Sequence, residues 1–283
     1  LCRKKVSIAI PASVVSDTPH LREKTVKVGL VGRAAAIFGV EEIIIYKDAP
    51  KENQKADMDL VALLLNYMET PQYLRKRLFK IRPELRYAGV LPPLRTAHHP
   101  LKKRTEDLKA GEYREGVVFS NSRKGVLVDI GIGKPALIPG LHLPIGRRVT
   151  LKVIEVGKQV LAELSDRQEI PLYWGYSVTE WEGSLGELVS SRSFDLKIAT
   201  SRYGVIFSDI IDELAQAVNR AKTILMAFGA PSKGLYEIIK DEGLNVKDIF
   251  DFVVNTIPRQ KTETVRTEEA LIASLAVFNC FRI

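Results

Sequence analysis

A chain of 283 residues, 46% of them apolar, is long enough for two domains and a sizeable core. No apolar run approaches the ~18 residues that span a bilayer, the basic opening Leu1-Cys2-Arg3-Lys4-Lys5-Val6 meets Pro11 too soon for a signal peptide, and Cys2 and Cys280 alone make no disulfide framework. A net charge of +8 on such a chain sets the expectation of a reduced, cytoplasmic protein that meets a polyanion, with no membrane partner.

The chain opens in alternating strand and helix. Val6 to Ile10 is a β-branched run that Pro11 ends. Pro19 to Phe38 reads as a helix, with Asp17 or Thr18 as its cap. Glu42 to Tyr46 is a buried strand, and Asn53 to Met68 a helix with Met58, Val61, Leu64, Leu65 and Met68 at helical spacing. Pro71 starts a short basic helix, Gln72 to Phe79.

The style changes at Leu91-Pro92-Pro93. Five short β-rich segments broken by glycines follow: 116–119, 125–131, 136–140, 148–154 and 159–164. That spacing predicts a small closed barrel. After Arg167 the earlier style returns. Strands are expected at 194–200, 223–228 and 250–257, and helices at 209–221 (capped by Ser208), 233–240 and 267–281. Residues 92–167 are therefore read as a domain inserted into one α/β domain made of 1–91 and 168–283.

Charge follows this division. Residues 71–167 carry twenty basic and nine acidic groups, and the flanks together are at −3. The block is either a nucleic-acid grip or a solvated face. Candidate phosphate contacts are Arg75 and Arg77 on the basic helix, and Arg114, Arg123, Lys124, Lys134, Arg147 and Arg148 in the barrel. Tyr113 and Phe119 are the nearby aromatics for base stacking. His20, His98, His99 and His142 sit at no metal-ligand spacing, so no metal is expected. No phosphate-binding Gly-x4-Gly-Lys loop is present.

Three segments carry a resemblance. The first is Lys27-Val-Gly29-Leu-Val-Gly32-Arg33, running on to Phe38-Gly39 and the strand at Val40. The second is the apolar run Ile224 to Phe228, followed by Gly229-Ala-Pro231-Ser-Lys-Gly234-Leu235. Its glycines let backbone approach a ligand beyond the end of a strand. The third is Asn255-Thr256-Ile257-Pro258-Arg259-Gln260, then Thr264-Val265-Arg266 and a helix with Thr267 as its cap and Glu268 and Glu269 in its first turn. In this order they resemble the three motifs of the SPOUT (SpoU–TrmD) RNA methyltransferases, in the archaeal and eukaryotic branch with an inserted OB-like domain. Lys27 stands where the family has Asn, Ser232 falls near its glutamate, and Arg266 replaces its second Asn.

The resemblance implies a Rossmann-like parallel sheet closed by a trefoil knot, which ordinary connection rules would not suggest. It implies S-adenosyl-L-methionine as cofactor, held by Ala227, Phe228, Gly229, Gly234, Asn255, Thr256, Ile257, Pro258, Gln260, Thr264, Val265 and Arg266. It makes Arg33 the catalytic candidate; the plainer reading is a surface ion pair with Glu41 or Glu42. It implies a homodimer, for which Leu271, Leu275 and Phe278 on the last helix could serve both knot and interface. Methylation of ribosomal RNA, uridine N3 first, is the expected activity. The alternative is a non-catalytic RNA-binding or ribosome-assembly protein that keeps the fold.

Overall fold

The computed structural model describes residues 4–101 and 104–281. Cys2 lies outside them. In chain order the strands are β1 (Lys5–Pro11), β2 (Glu42–Lys47), β3 (Tyr113–Ser122), β4 (Gly125–Asp129), β5 (Ala136–Pro139), β6 (Arg148–Val156), β7 (Val160–Leu164), β8 (Ser177–Ser184), β9 (Leu196–Ile206), β10 (Thr223–Ala227) and β11 (Phe252–Asn255). The helices are α1 (Leu21–Ile37), α2 (Lys55–Glu69), α3 (Gln72–Leu78), α4 (Leu185–Ser191), α5 (Ile211–Arg220), α6 (Leu235–Asp241), α7 (Val246–Ile249) and α8 (Thr267–Phe278). They fall into two compact units. One holds the described parts of Leu1–Asn66, Glu84–Pro93 and Tyr176–Ile283; the other holds Tyr67–Pro83 and Leu94–Gly175.

The first unit is built on a six-stranded sheet ordered β11-β9-β10-β1-β2-β8. Every pairing in it is parallel. Parallel strands covered on both faces are apolar throughout rather than alternating, and Ile8, Ile10, Ile43, Ile44, Ile45, Leu225 and Met226 are all buried. Leu185 and Leu188 of α4, Leu235, Ile238 and Ile239 of α6 and Val246 of α7 close one face over Ile44, Ala199 and Leu225. Gly39, with a φ of 69°, ends α1. Only a residue without Cβ enters that left-handed turn freely, and Val40 N–H then reaches back to the Ala35 carbonyl at 2.9 Å.

One irregularity shapes the site. β9 pairs with β11 at Ile198 and Ala199, leaves the ladder, and pairs again at Val205 and Ile206. Residues 200–204 therefore bow out from the strand where a straight strand ending at Thr200 was expected.

The second unit contains a closed barrel ordered β3-β4-β5-β7-β6, with α3 against β3. Its interior is Val118, Val126, Val128, Ala136, Ile138, Leu151, Val153 and Val160. These positions alternate with more exposed ones along most of the strands, as a small filled barrel requires.

Three expected caps are corrected. His20, not Asp17 or Thr18, precedes α1, because the Asp17 carboxylate is taken by Lys27 at 2.6 Å. α5 starts at Ile211, and the Ser208 hydroxyl turns to Asp209 instead. Arg266, not Thr267, stands at the N-cap of α8. β8 and α4 were not anticipated from the sequence. Among the described residues no helix is long and apolar enough to cross a membrane.

Candidate active site

β9, β10 and β11 end side by side, and beyond their carboxyl ends the chain forms a cleft of about 230 Å³. Such a crevice is where open α/β sheets bind ligands. Three segments wall it. Thr200, Ser201, Arg202 and Tyr203 come from the bowed part of β9; Phe228 to Glu237 follow β10; Asn255, Thr256, Ile257, Gln260, Glu263, Thr264 and Val265 follow β11. Thr267, Ala270 and Ser274 of α8 complete the lining.

Of the residues expected to hold a cofactor, Phe228, Gly229, Gly234, Asn255, Thr256, Ile257, Gln260, Thr264 and Val265 come together here. Ala227, Pro258 and Arg266 flank the cleft without lining it. The bowed segment was missed. Its polar and aromatic residues look like an ordinary strand end, and nothing local in the sequence marks the return to the ladder at Val205.

Side-chain bonds stitch the three walls. Asn255 Nδ2 donates to the Arg202 carbonyl at 2.9 Å, while its Oδ1 accepts from Ile257 N–H at 2.9 Å. Arg202 donates to the Glu263 carbonyl at 3.0 Å, and Thr200 to the Ala227 carbonyl at 2.9 Å. Thr267 Oγ1, read from sequence as a cap, donates instead to the Gly229 carbonyl at 2.8 Å. Thr256 and Ser274 share a hydroxyl–hydroxyl bond of 2.8 Å. Two cleft loops are thereby tied to α8.

The two glycines of the second loop differ. A Cβ on Gly229 would stand 3.1 Å from the Lys233 carbonyl oxygen and 3.2 Å from Leu235 N. The loop's own closure, sealed by Ala230 N–H on that carbonyl, therefore leaves tight room for any side chain at this glycine. Gly234 has an ordinary φ of −74° and nothing within 4 Å of a would-be Cβ. No neighbouring atom excludes a side chain there, and Gly234 is among the residues that line the cleft.

Lys27 of α1 lies beside the first turn of α8. Its ammonium lies 2.6 Å from Asp17 and 3.6 Å from Glu268, with Lys27 and Glu268 both buried. Burial raises the Glu268 carboxyl above its ordinary range. Arg33 is half-buried on α1, donates to the Pro93 carbonyl at 2.9 Å and does not line the cleft of its own chain. Of the two carboxylates considered for an ion pair with it, Glu41 and Glu42, Glu42 is held by Arg192 at 2.9 Å. Leu271, Leu275 and Phe278 are fully buried within their own unit, which removes them as an exposed dimer face. On these two helices the exposed large apolar residues are Val26, Leu30 and Ile37 of α1 and Ile272 of α8.

In the barrel unit the eight basic candidates separate by burial. Arg123, Lys124, Lys134 and Arg147 are exposed. Arg77 pairs with Asp129 at 2.6 Å and lies over the Phe119 ring. Arg75 is turned onto the Met68 and Thr70 carbonyls. Arg114 is buried at 1% exposure beside Glu112 and cannot meet a phosphate in this fold. Arg148 is spent internally: it binds Glu69 at 2.6 Å and Glu115 at 2.6 Å. Arg167 and His98 also converge on Glu69. Burial opposes ionisation of Glu69, but His98, Arg148 and Arg167 outweigh it and hold the carboxyl well below its usual range. His99 donates to the Glu69 carbonyl at 2.7 Å, and burial pushes its imidazole down to about 4. Among the described residues no group of three His, Cys, Asp or Glu side chains could hold a metal.

Comparison with known proteins covers nearly the whole chain. Residues 5–278 match a family model described as "Putative RNA methyltransferase". A protein from Halobacterium salinarum, with no function in its name, is 35% identical, covering 95% of this chain and 96% of its own. Proteins named 28S rRNA (uridine-N(3))-methyltransferase from Mus musculus and Homo sapiens are each 31% identical over 96% of this chain, covering 75% and 77% of theirs.

Proposed function

The chain belongs to the RNA methyltransferase family whose model it matches, and on that premise we propose that it moves the methyl group of S-adenosyl-L-methionine to N3 of a uridine in ribosomal RNA. The observation that carries the reading is the cleft beyond β9, β10 and β11, walled by the second and third motif segments together with the bowed part of β9. Its open space at Gly234, its hydroxyls and its backbone groups fit a nucleoside with a short charged tail. Phe228, Gly229, Gly234, Asn255, Thr256, Ile257, Gln260, Thr264 and Val265 would hold the donor, with Ala227, Pro258 and Arg266 supporting them from the flanks. The names of the mouse and human relatives support the choice of base and atom.

When bound, the donor supplies an electrophilic sulfonium methyl. The chain's own work is to align the uracil ring and favour loss of its N3 proton. Arg33 stays protonated, so it serves as an orienting or charge-stabilising group for the uracil anion or a phosphate, not as the base. Its place outside its own cleft goes with a homodimer. Arg33 shares one face of α1 with exposed Val26, Leu30 and Ile37, at spacings of three and four residues. In the dimer that face meets a second copy and Arg33 serves the partner's cleft. The reading also includes the trefoil knot of the SPOUT superfamily, supported by the two cleft loops tied to α8, and a cytoplasmic location. The inserted segment 92–167, with exposed Arg123, Lys124, Lys134 and Arg147, grips the RNA.

Calorimetry with S-adenosylhomocysteine tests the cleft. Gly234→Val should still fold, with a melting temperature lowered by about a few degrees at most, since its Cβ meets nothing and the remaining cost is that of valine at the N-cap of α6. It should weaken binding about tenfold or more, equivalent to roughly 1.4 kcal/mol. Unchanged affinity in a folded variant would remove this loop from the donor site.

A further inference from the structure

Tyr203 is a large aromatic residue at the rim of the cleft, and it is 67% exposed. It sits in the bowed part of β9, between the two stretches that pair with β11. The ring is held on two sides. Arg202 donates to its hydroxyl at 2.6 Å with the guanidinium carbon 4.7 Å from the ring centroid. Tyr236, another lining residue, meets it edge-on at 6.3 Å between centroids. Arg202 is itself fixed on the Glu263 carbonyl. An aromatic ring braced by its neighbours yet left largely in water contributes little to folding, since most of its apolar surface stays exposed.

We propose that Tyr203 is the stacking platform for the target nucleobase, with Arg202 and Tyr236 as the residues that orient it. The inference rests on the reading of the cleft as a methyl-transfer site for RNA. Bases taken out of a strand for chemistry are recognised by stacking on aromatic and guanidinium planes. The exposure of the ring favours a base arriving from solution over the adenine of a donor sunk among the loops. Arg202 adds a positive charge at the same rim, where the adjoining phosphates would pass.

The test is photocrosslinking of the full chain to a single-stranded oligouridylate carrying 4-thiouridine, with S-adenosylhomocysteine present, followed by peptide mapping. Wild-type protein should crosslink within residues 200–206. Tyr203→Ala should lower that yield about tenfold, the order expected for one stacked base, whereas Tyr203→Phe, which keeps the ring, should retain it. S-adenosylhomocysteine affinity by calorimetry should be the same in all three. A wild-type crosslink confined to other peptides would overturn the proposal. So would an equal yield in Tyr203→Ala, or a parallel fall in S-adenosylhomocysteine affinity, which would reassign the ring to the donor's adenine. Failure of the wild type to bind S-adenosylhomocysteine would strike the proposed function instead, while the crosslink comparison still decides the role of Tyr203.

Discussion

Arg147 and Arg148 are neighbours with opposite fates. Arg147 is exposed just before β6; Arg148 reaches inward and neutralises Glu69 and Glu115, both almost fully buried. Removing one partner of a buried ion network leaves an uncompensated charge, so Arg148→Ala should destabilise the barrel unit by about 3–5 kcal/mol in urea unfolding. Reversing Arg123, Lys124 and Arg147 together should leave stability nearly unchanged. It should weaken RNA binding and flatten its salt dependence by roughly 0.7–0.9 log unit for each phosphate no longer neutralised. An unfolding midpoint for Arg148→Ala equal to wild type would refute the network's role, and an unchanged salt slope in the triple variant would make the basic surface a merely solvated one. A sequence shows that a stretch is rich in arginine; it does not show which guanidinium is drawn inward onto a carboxylate. Arg114 and Arg148 are misread from sequence for that reason. Glu112 stands two residues before Arg114, but only the fold buries that pair. Arg148 finds Glu115 on the facing strand β3 and Glu69 at the end of α2, 79 residues back along the chain.

α8 acts as a strut. Thr267 at its first turn holds the Gly229 carbonyl, and Ser274, two turns on, holds Thr256. Lys27 and Glu268 bring α1 beside the same first turn. One element thus fixes two of the three cleft loops. Thr267→Val keeps the shape and loses the hydroxyl. It should cost about 1 kcal/mol of stability, but raise the KM for the methyl donor about tenfold with kcat less affected, and Thr267→Ser should restore it. Unchanged KM in the valine variant with a raised KM in the serine variant would mean that the threonine methyl, not its hydroxyl, matters. The sequence marks Thr267 as a helix start because a hydroxyl before two glutamates is good cap chemistry, and the same hydroxyl can equally serve a tertiary bond. The elements that were legible are those whose burial is continuous or strictly periodic: β1, β2, β10, α2 and the barrel strands. β8 is an edge strand with residues half-exposed on both faces, so neither an apolar run nor clean alternation announces it. The bow in β9 depends on where β11 resumes pairing, which is a tertiary fact.

On the scale of the whole molecule, a parallel sheet with a cleft at its carboxyl edge and a small closed barrel with a basic surface are both present in one chain of the RNA methyltransferase family. The change of style at Leu91-Pro92-Pro93 and its return after Arg167 set the barrel strands apart, because glycine-broken short strands and β-α alternation are different local patterns; the second unit also takes in Tyr67–Pro83 and runs on to Gly175, which those marks did not indicate. The proposed homodimer belongs to this scale. Leu30→Glu places a charge in the middle of the exposed apolar face of α1 and should convert a dimer to a monomer in sedimentation velocity, whereas a wild-type monomer at micromolar concentration would contradict the interface.

The central claim is methyl transfer to RNA at the cleft. Its most direct measurement is incubation of the protein with methyl-labelled S-adenosyl-L-methionine and ribosomal RNA, followed by digestion and nucleoside analysis. Label should appear in 3-methyluridine, and the Arg33→Ala protein, folded as the wild type, should yield far less. No label in RNA, or label in a different nucleoside, would contradict the account.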